Sequence, residues 1–366
     1  MSLLFYLLFM ILIIVLFLYI YAYQEHFNTQ INLTWNFPSN LCESIVAPVY
    51  LDLFHKYNIK KVSIFGDIII PCSYDDIDKE IEQIHPNSHP KYVHLISNSD
   101  ELCAKDSLCK NIVNKYGRTN QITPKSWTLN NSHDRNMLSS EYDKNKLYIL
   151  KKNIQQQQGL LIVDSLEKII SSATKGYVVA QELLQDPFLI NGRKINMRFY
   201  VLLTSHFGIK NAYVFNDGFM YYTPKFFKQN STEIDENITT GYIDRTVYDE
   251  NPLTHNDFKK YLIKHKFDSD KIFSDINEAI KNTLFAMIDK LGTSSKLNDL
   301  MCFQLYGFDI ALSESLNVNI MEANKGPDVG SKDKRDGAVK IKCVNDMFQV
   351  VGVIPKTENN GFIKII

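Results

Sequence analysis

No arginine or lysine occurs before Lys56, and the whole chain carries a formal charge of −1, with Lys+Arg 40 against Asp+Glu 41. That balance leaves no basic footprint for a nucleic acid. The cysteines (Cys42, Cys72, Cys103, Cys109, Cys302 and Cys343) have neither the paired spacing of a metal site nor the density of a disulfide scaffold. The nine histidines lack the spacing of a zinc site. Charge is also missing from Leu3 to Ile20, which contains only Leu, Ile, Phe, Val, Met and Tyr. At about 1.5 Å per residue this run just spans a roughly 30 Å hydrocarbon core. A basic start and a small-residue cleavage site are absent, so the run predicts an uncleaved transmembrane anchor over 1–23 rather than a signal peptide. With no flanking cation, the positive-inside rule does not orient it. Sequons at Asn32, Asn130, Asn230 and Asn237 carry little weight in an asparagine-rich chain.

What is present is concentrated near the C-terminal end. Cys302 to Leu312 and Val318 to Asn324 are apolar runs around a polar turn, a hairpin signal. A turn centred between Ser315 and Leu316 sets Asp309 opposite Glu322. Asn324 then shares the face of Glu322 and lies opposite Gly307. Two facing carboxylates repel, and a hard divalent cation such as Mg²⁺ resolves the repulsion. An exposed hairpin with scattered polar residues would read similarly. A second strand, Lys194 to Leu203, puts Lys194, Asn196 and Arg198 on one face. Such a row suits polyphosphate oxygens, Arg binding two at once. Asn191-Gly192 before it marks a tight turn.

More than 300 residues follow the apolar run, enough for a large core divided into subdomains. We expect a small N-terminal αβ lobe over 24–90, with a helix from Val46 to His55, a buried strand from Val62 to Pro71 and a short helix from Lys79 to His85. A central lobe over 91–175 ends in a helix from Leu166 to Ser172, and a strand-rich lobe covers 176–366. Asp275 and Glu278 read as a capping box for a helix with Ile276, Ile280, Leu284, Ile288 and Leu291 on its core face, stopped by Gly292. Gln155 to Gln158, between a strand lysine and a glycine, reads as a mobile phosphate lid. Lys332 to Asp336 reads as a solvated charge run.

Read together, these segments resemble the tubulin tyrosine ligase-like family, a branch of the ATP-grasp ligases. The resemblance covers roughly residues 91 to 330. It runs in order through Ala104 to Leu108 with Asn111 and Tyr116-Gly117, then Pro124 to Leu129, then Tyr148 to Lys151 with Gly159 to Ile162. It continues through Val178 to Leu184, Gly192 to Arg198, Cys302 to Asp309 and Glu322-Ala-Asn324. It implies an α+β fold with ATP-grasp catalytic lobes. It also implies an enzyme that uses Mg·ATP to turn a carboxylate into an acylphosphate and joins it to an amine. The partners implied are a protein or peptide acceptor and an amino acid donor. By position, Asp309, Glu322 and Asn324 would hold Mg²⁺, and Lys151 and Lys194 would contact phosphate. Arg198 would steady the transferring group, with Lys194 and Arg198 the catalytic pair. Gln181, Glu182 and Leu184, with Asn196 on the nucleotide side, would complete the ATP site. A working ligase would face the ATP-rich cytosol.

The chain departs from the family pattern at Asn196, where Asp is usual, and at Tyr221, where Arg helps bind acceptor carboxylates. Ile238-Thr239-Thr240 stands for Leu-Thr-Asn, and Lys325 follows the metal set where small residues are commoner. Tyr221 and Lys325 are therefore the candidate acceptor-side residues, Lys325 supplying a point charge. An inactive nucleotide- or partner-binding module of the same fold is the alternative reading.

Overall fold

The computed structural model describes residues 31–42, 47–154 and 159–366, with Met10 and residues 13–15. Most of the apolar run from Leu3 to Ile20, and the expected lid at Gln155 to Gln158, lie outside the described residues. Among the described residues, no helix is long and apolar enough to cross a membrane.

The first strands are short: β1 (Thr34–Asn36), β2 (Lys60–Lys61), β3 (Ile68–Ile69) and β4 (Tyr92–Val93). They pair in parallel, β1 between β2 and β3, and β3 with β4. Helix Pro48–Lys56 covers them, with Tyr50, Leu53 and Phe54 buried. The expected long strand from Val62 to Pro71 is wrong: only Ile68–Ile69 is strand, because Val62 to Gly66 runs through bends and is largely exposed. Helix Ile77–Glu82 starts slightly earlier than expected, capped by the Asp76 carboxylate. Cys42 and Cys72 form a disulfide that their spacing did not suggest.

A four-stranded antiparallel sheet follows, in the order β5 (Ser126–Thr128), β8 (Val179–Glu182), β6 (Tyr148–Lys151), β7 (Leu160–Val163). Its core face packs Trp127, Tyr148, Leu150 and Ala180 against Leu138 and Ile169. Ile169 lies on helix Leu166–Ser172, whose bounds match the expectation and whose Ser165 hydroxyl caps the start.

The remaining strands are β9 (Leu189–Ile190), β10 (Arg193–His206), β11 (Ile209–Tyr222), β12 (Met301–Leu312), β13 (Val318–Lys325) and β14 (Phe362–Lys364), of which β10 to β13 are long. Asn191 and Gly192 both take positive φ, the two-residue turn that lets β9 fold back on β10. The order β14-β11-β10-β12 is antiparallel, with β13 on β12. The start of β12 pairs in parallel with β4. The expected N-terminal and catalytic lobes therefore share one ten-stranded sheet and one continuous core. Helix Lys334–Val351 seals that core, Phe348 meeting Phe54, His94 and Phe303 edge-on. The capping-box expectation at Asp275 fails. That helix runs Ser269–Phe285 and is capped by Asp268, since its apolar stripe already begins at Ile272. Ile276, Ile280 and Leu284 are buried on it as expected, while Ile288 and Leu291 follow in turns.

Candidate active site

Three neighbouring strands place one charged row. Arg198 on β10 pairs with Asp309 on β12, and Asp309 pairs with Glu322 on β13. The next pair is Gly307 and Asn324, so the amide falls on the face of Glu322 as expected. A bulge at Met321 shifts the ladder to Ile310↔Ile320 nearer the turn. At Gly307 a Cβ would lie 3.0 Å from Pro327 and 3.1 Å from the Arg198 side chain. The missing side chain is what lets the guanidinium lie flat along the sheet.

Arg198 holds Asp309 in a fork, Nε to Oδ1 at 2.6 Å and Nη2 to Oδ2 at 3.0 Å. Its guanidinium carbon also lies 5.2 Å from the centre of the Tyr221 ring. The Asn324 amide nitrogen donates to Glu322 Oε1 at 3.1 Å and approaches Asp309 Oδ2 at 3.4 Å. Lys105 Nζ is 3.8 Å from Glu322 Oε2. Burial, and then the facing Glu322, hold the Asp309 carboxyl above its ordinary range against the pull of Arg198. Burial works the same way on Glu322, but Lys105 and Lys151 outweigh it and its carboxyl is held low. The two carboxylates therefore repel each other in a partly dry setting, a repulsion that a divalent cation can relieve. The donor set, two carboxylates and an amide whose oxygen can turn inward, fits a hard cation such as Mg²⁺.

Around this row lies a cavity of about 310 Å³. Ile149, Ile154, Leu160, Leu183, Ile238 and Met321 give it an apolar end; Lys151, Lys194, Asn196 and Arg198 line its middle. Lys151 Nζ donates to Gln181 Oε1 at 2.8 Å and to the Met321 carbonyl at 3.2 Å. Lys194 Nζ donates to the Leu184 carbonyl at 3.2 Å. Burial lowers both ammonium groups to about 8. The Asn196 Oδ1 atom is buried with no hydrogen-bond partner among the described residues, an acceptor that a bound hydroxyl or water would satisfy.

Lys151, Lys194, Asn196, Arg198, Tyr221, Asp309, Glu322 and Asn324 thus come together around one cavity. Gln181 lies beneath Lys151, tied also to the Ser126 hydroxyl at 2.8 Å. The Glu182 carboxylate turns away to Lys146, and Leu184 contributes its carbonyl rather than its side chain. Leu183, just past the end of β8, lines the cavity instead. Lys325 borders the same cavity, but its ammonium is already engaged. It is buried, with Nζ 2.8 Å from Asp100 Oδ1 and 3.1 Å from the Asp75 carbonyl. Strand alternation explains this, since Lys325 faces away from Asn324. Two residues were missed as site members. Lys105 opens helix Lys105–Tyr116 far from the strands in sequence, and Lys332 stood in what read as a solvated run.

Lys325→Ala should lower stability by about 1–3 kcal/mol, the usual effect of removing a buried hydrogen-bonded charge, with little change in ligand affinity. Urea unfolding checks this; unchanged stability together with a weakened acceptor KM would return Lys325 to the binding side.

A model of the tubulin-tyrosine ligase family matches residues 83–360. Tubulin polyglutamylase TTLL6 of Mus musculus is 24% identical over 302 residues, covering 76% of this chain and 36% of the relative. Tubulin polyglutamylase TTLL7 of Mus musculus is 25% identical over 308 residues, covering 72% and 32%. Probable tubulin polyglutamylase TTLL9 of Rattus norvegicus is 30% identical over 183 residues, covering 47% and 38%. The chain spans about a third of the length of these curated relatives. With the charged row, the apolar pocket end and a match over most of its length, this chain belongs to the tubulin-tyrosine ligase family.

Proposed function

We propose that the chain is an ATP-dependent ligase that forms an amide bond, adding an amino acid to a protein or peptide acceptor. The observation that carries this is the row Arg198–Asp309–Glu322 beside Asn324, set in a cavity with an apolar end and two buried lysines in its middle. The apolar end suits a purine, and Lys151 and Lys194 suit its phosphates. An acceptor carboxylate oxygen attacks the γ-phosphorus and ADP leaves, giving an acylphosphate. The amine nitrogen then attacks the acyl carbon, phosphate leaves with the bonding pair, and the amine gives up a proton. Mg²⁺ held by Asp309, Glu322 and Asn324 would neutralise phosphate charge. Arg198, fixed by Asp309 and the Tyr221 ring, is placed to neutralise the transferring group. No side chain need act as nucleophile, so charge neutralisation and alignment supply the rate.

The relatives are named for tubulin, which makes tubulin the first acceptor to assay. The second reading, a nucleotide-binding module without turnover, draws on Asn196 and Tyr221, where the site departs from the family's usual residues. The apolar run over 1–23 supports a membrane anchor on the ligase.

Glu322→Gln should preserve folding by circular dichroism and lower ATP-dependent amino acid incorporation at least 100-fold, because it removes one of two metal-holding charges. Incorporation at the wild-type rate would show that the hairpin is not the metal site. A second expectation follows from the lysines. Their pKa values stand near 8, so protonation, and with it phosphate attraction, is lost as pH rises through that value. Between pH 7 and 9 the Mg·ATP dissociation constant should rise by up to about tenfold per lysine, with proton uptake on binding near pH 8. Calorimetry in buffers of different ionisation enthalpy reads both; a constant affinity without uptake would place the phosphates elsewhere.

A further inference from the structure

The cavity continues past Arg198 and Tyr221 to an end that the nucleotide and metal do not use. Gly241 sits between Tyr221 and Lys332: a Cβ there would lie 3.4 Å from the Tyr221 ring and 3.7 Å from Lys332 Nζ. Lys332 Nζ donates to the Gly241 carbonyl at 2.9 Å and lies 4.8 Å from the centre of the Tyr242 ring. Its distance to Asp328 Oδ2 is 3.8 Å, a loose pairing in which the ammonium keeps a donor free. The Asp328 side chain is 50% exposed, yet it is fixed. Gly330 N donates to Oδ1 at 2.8 Å, and the buried Lys340 reaches Oδ2 at 3.3 Å. Asp328 follows Pro327, which packs beside Gly307 and Arg198.

We propose that Lys332 and Asp328 form the subsite for the head group of the amino acid donor, Lys332 taking its carboxylate and Asp328 its ammonium. This rests on the ligase reading above. A zwitterion offers one charge of each sign on neighbouring atoms, the complement of a half-open cation–anion pair. A metal, by contrast, would be repelled by Lys332, and a phosphate by Asp328. The subsite also sets the donor's side chain. Tyr221 and Tyr242 wall this end; of the cations near it, Arg198 is forked to Asp309 and Lys340 is held by Asp336 and the Gly330 carbonyl, whereas Lys332 is loosely held. Arg245, further out, is ion-paired with Asp333. A glutamate side chain would bring a second carboxylate beside Asp328, where the neighbouring cations Arg198 and Lys340 already have carboxylate partners, so the donor has an uncharged side chain.

Equilibrium dialysis of labelled glycine, L-phenylalanine and L-glutamate against the full chain, with Mg²⁺ and a non-hydrolysable ATP analogue, tests this. At least one neutral amino acid should bind ten times more tightly than glutamate. Lys332→Met and Asp328→Asn should each weaken that binding at least tenfold while changing analogue affinity less than twofold, which also reports intact folding. Lys332→Arg should restore binding to within threefold. Glutamate binding as tightly as the best neutral amino acid, or no effect of either charge-removing variant, overturns the subsite and leaves the ligase reading standing. Wild-type protein that fails to bind the analogue overturns both.

Discussion

Two carboxylates facing each other across adjacent strands are the constraint to which the rest of the site answers. Asp309 and Glu322 are brought opposite by the β12–β13 ladder, and such a pair is unfavourable unless positive charge surrounds it. Arg198 comes from the next strand, Lys105 from a helix start, and Lys151 from the smaller sheet. Three elements distant from one another in sequence therefore each supply a cation to one row. That convergence couples the two sheets, since Lys151 on β6 also donates to the Met321 carbonyl on β13. It also leaves the site strongly polar in its middle and apolar at one end, the distribution that a nucleotide triphosphate requires.

The same strands supply the rigidity. β10 and β12 are buried along most of their length, so the charged face is backed by a close-packed one of Met197, Phe199, Phe308 and Ile310. Lys325, one residue beyond Asn324, ties the end of β13 to Asp100 and to the Asp75 carbonyl of the N-terminal lobe. Segments before residue 105 are thus part of what holds the hairpin in place.

Much of this was legible because strand alternation is simple arithmetic. Once the Asp309–Glu322 register was set, Gly307, Asn324, Lys194, Asn196 and Arg198 fell on their observed positions. The turn itself centres on Ser315 and the Met321 bulge restores the register, a compensation that no residue signal announced. Glu182 and Lys325 both prove to be engaged in ion pairs, with Lys146 and Asp100, which strand alternation alone does not reveal. Lys332 could not be found from a charge run, because its position depends on Gly241 and Tyr242, about ninety residues earlier. The Val62 to Pro71 segment shows the other limit: an apolar run reads as a strand, but only Ile68–Ile69 pairs as one.

The account turns on whether Asp309 and Glu322 together hold a divalent cation beside bound nucleotide. Titration of Mn²⁺ into the complex with a non-hydrolysable ATP analogue, followed by electron paramagnetic resonance, reads this directly. Wild-type protein should bind Mn²⁺ more tightly than the free analogue does, and Asp309→Asn should lose at least tenfold of that affinity while retaining the fold. Identical Mn²⁺ binding by the two proteins would contradict the central claim and leave the facing carboxylates without a physical explanation.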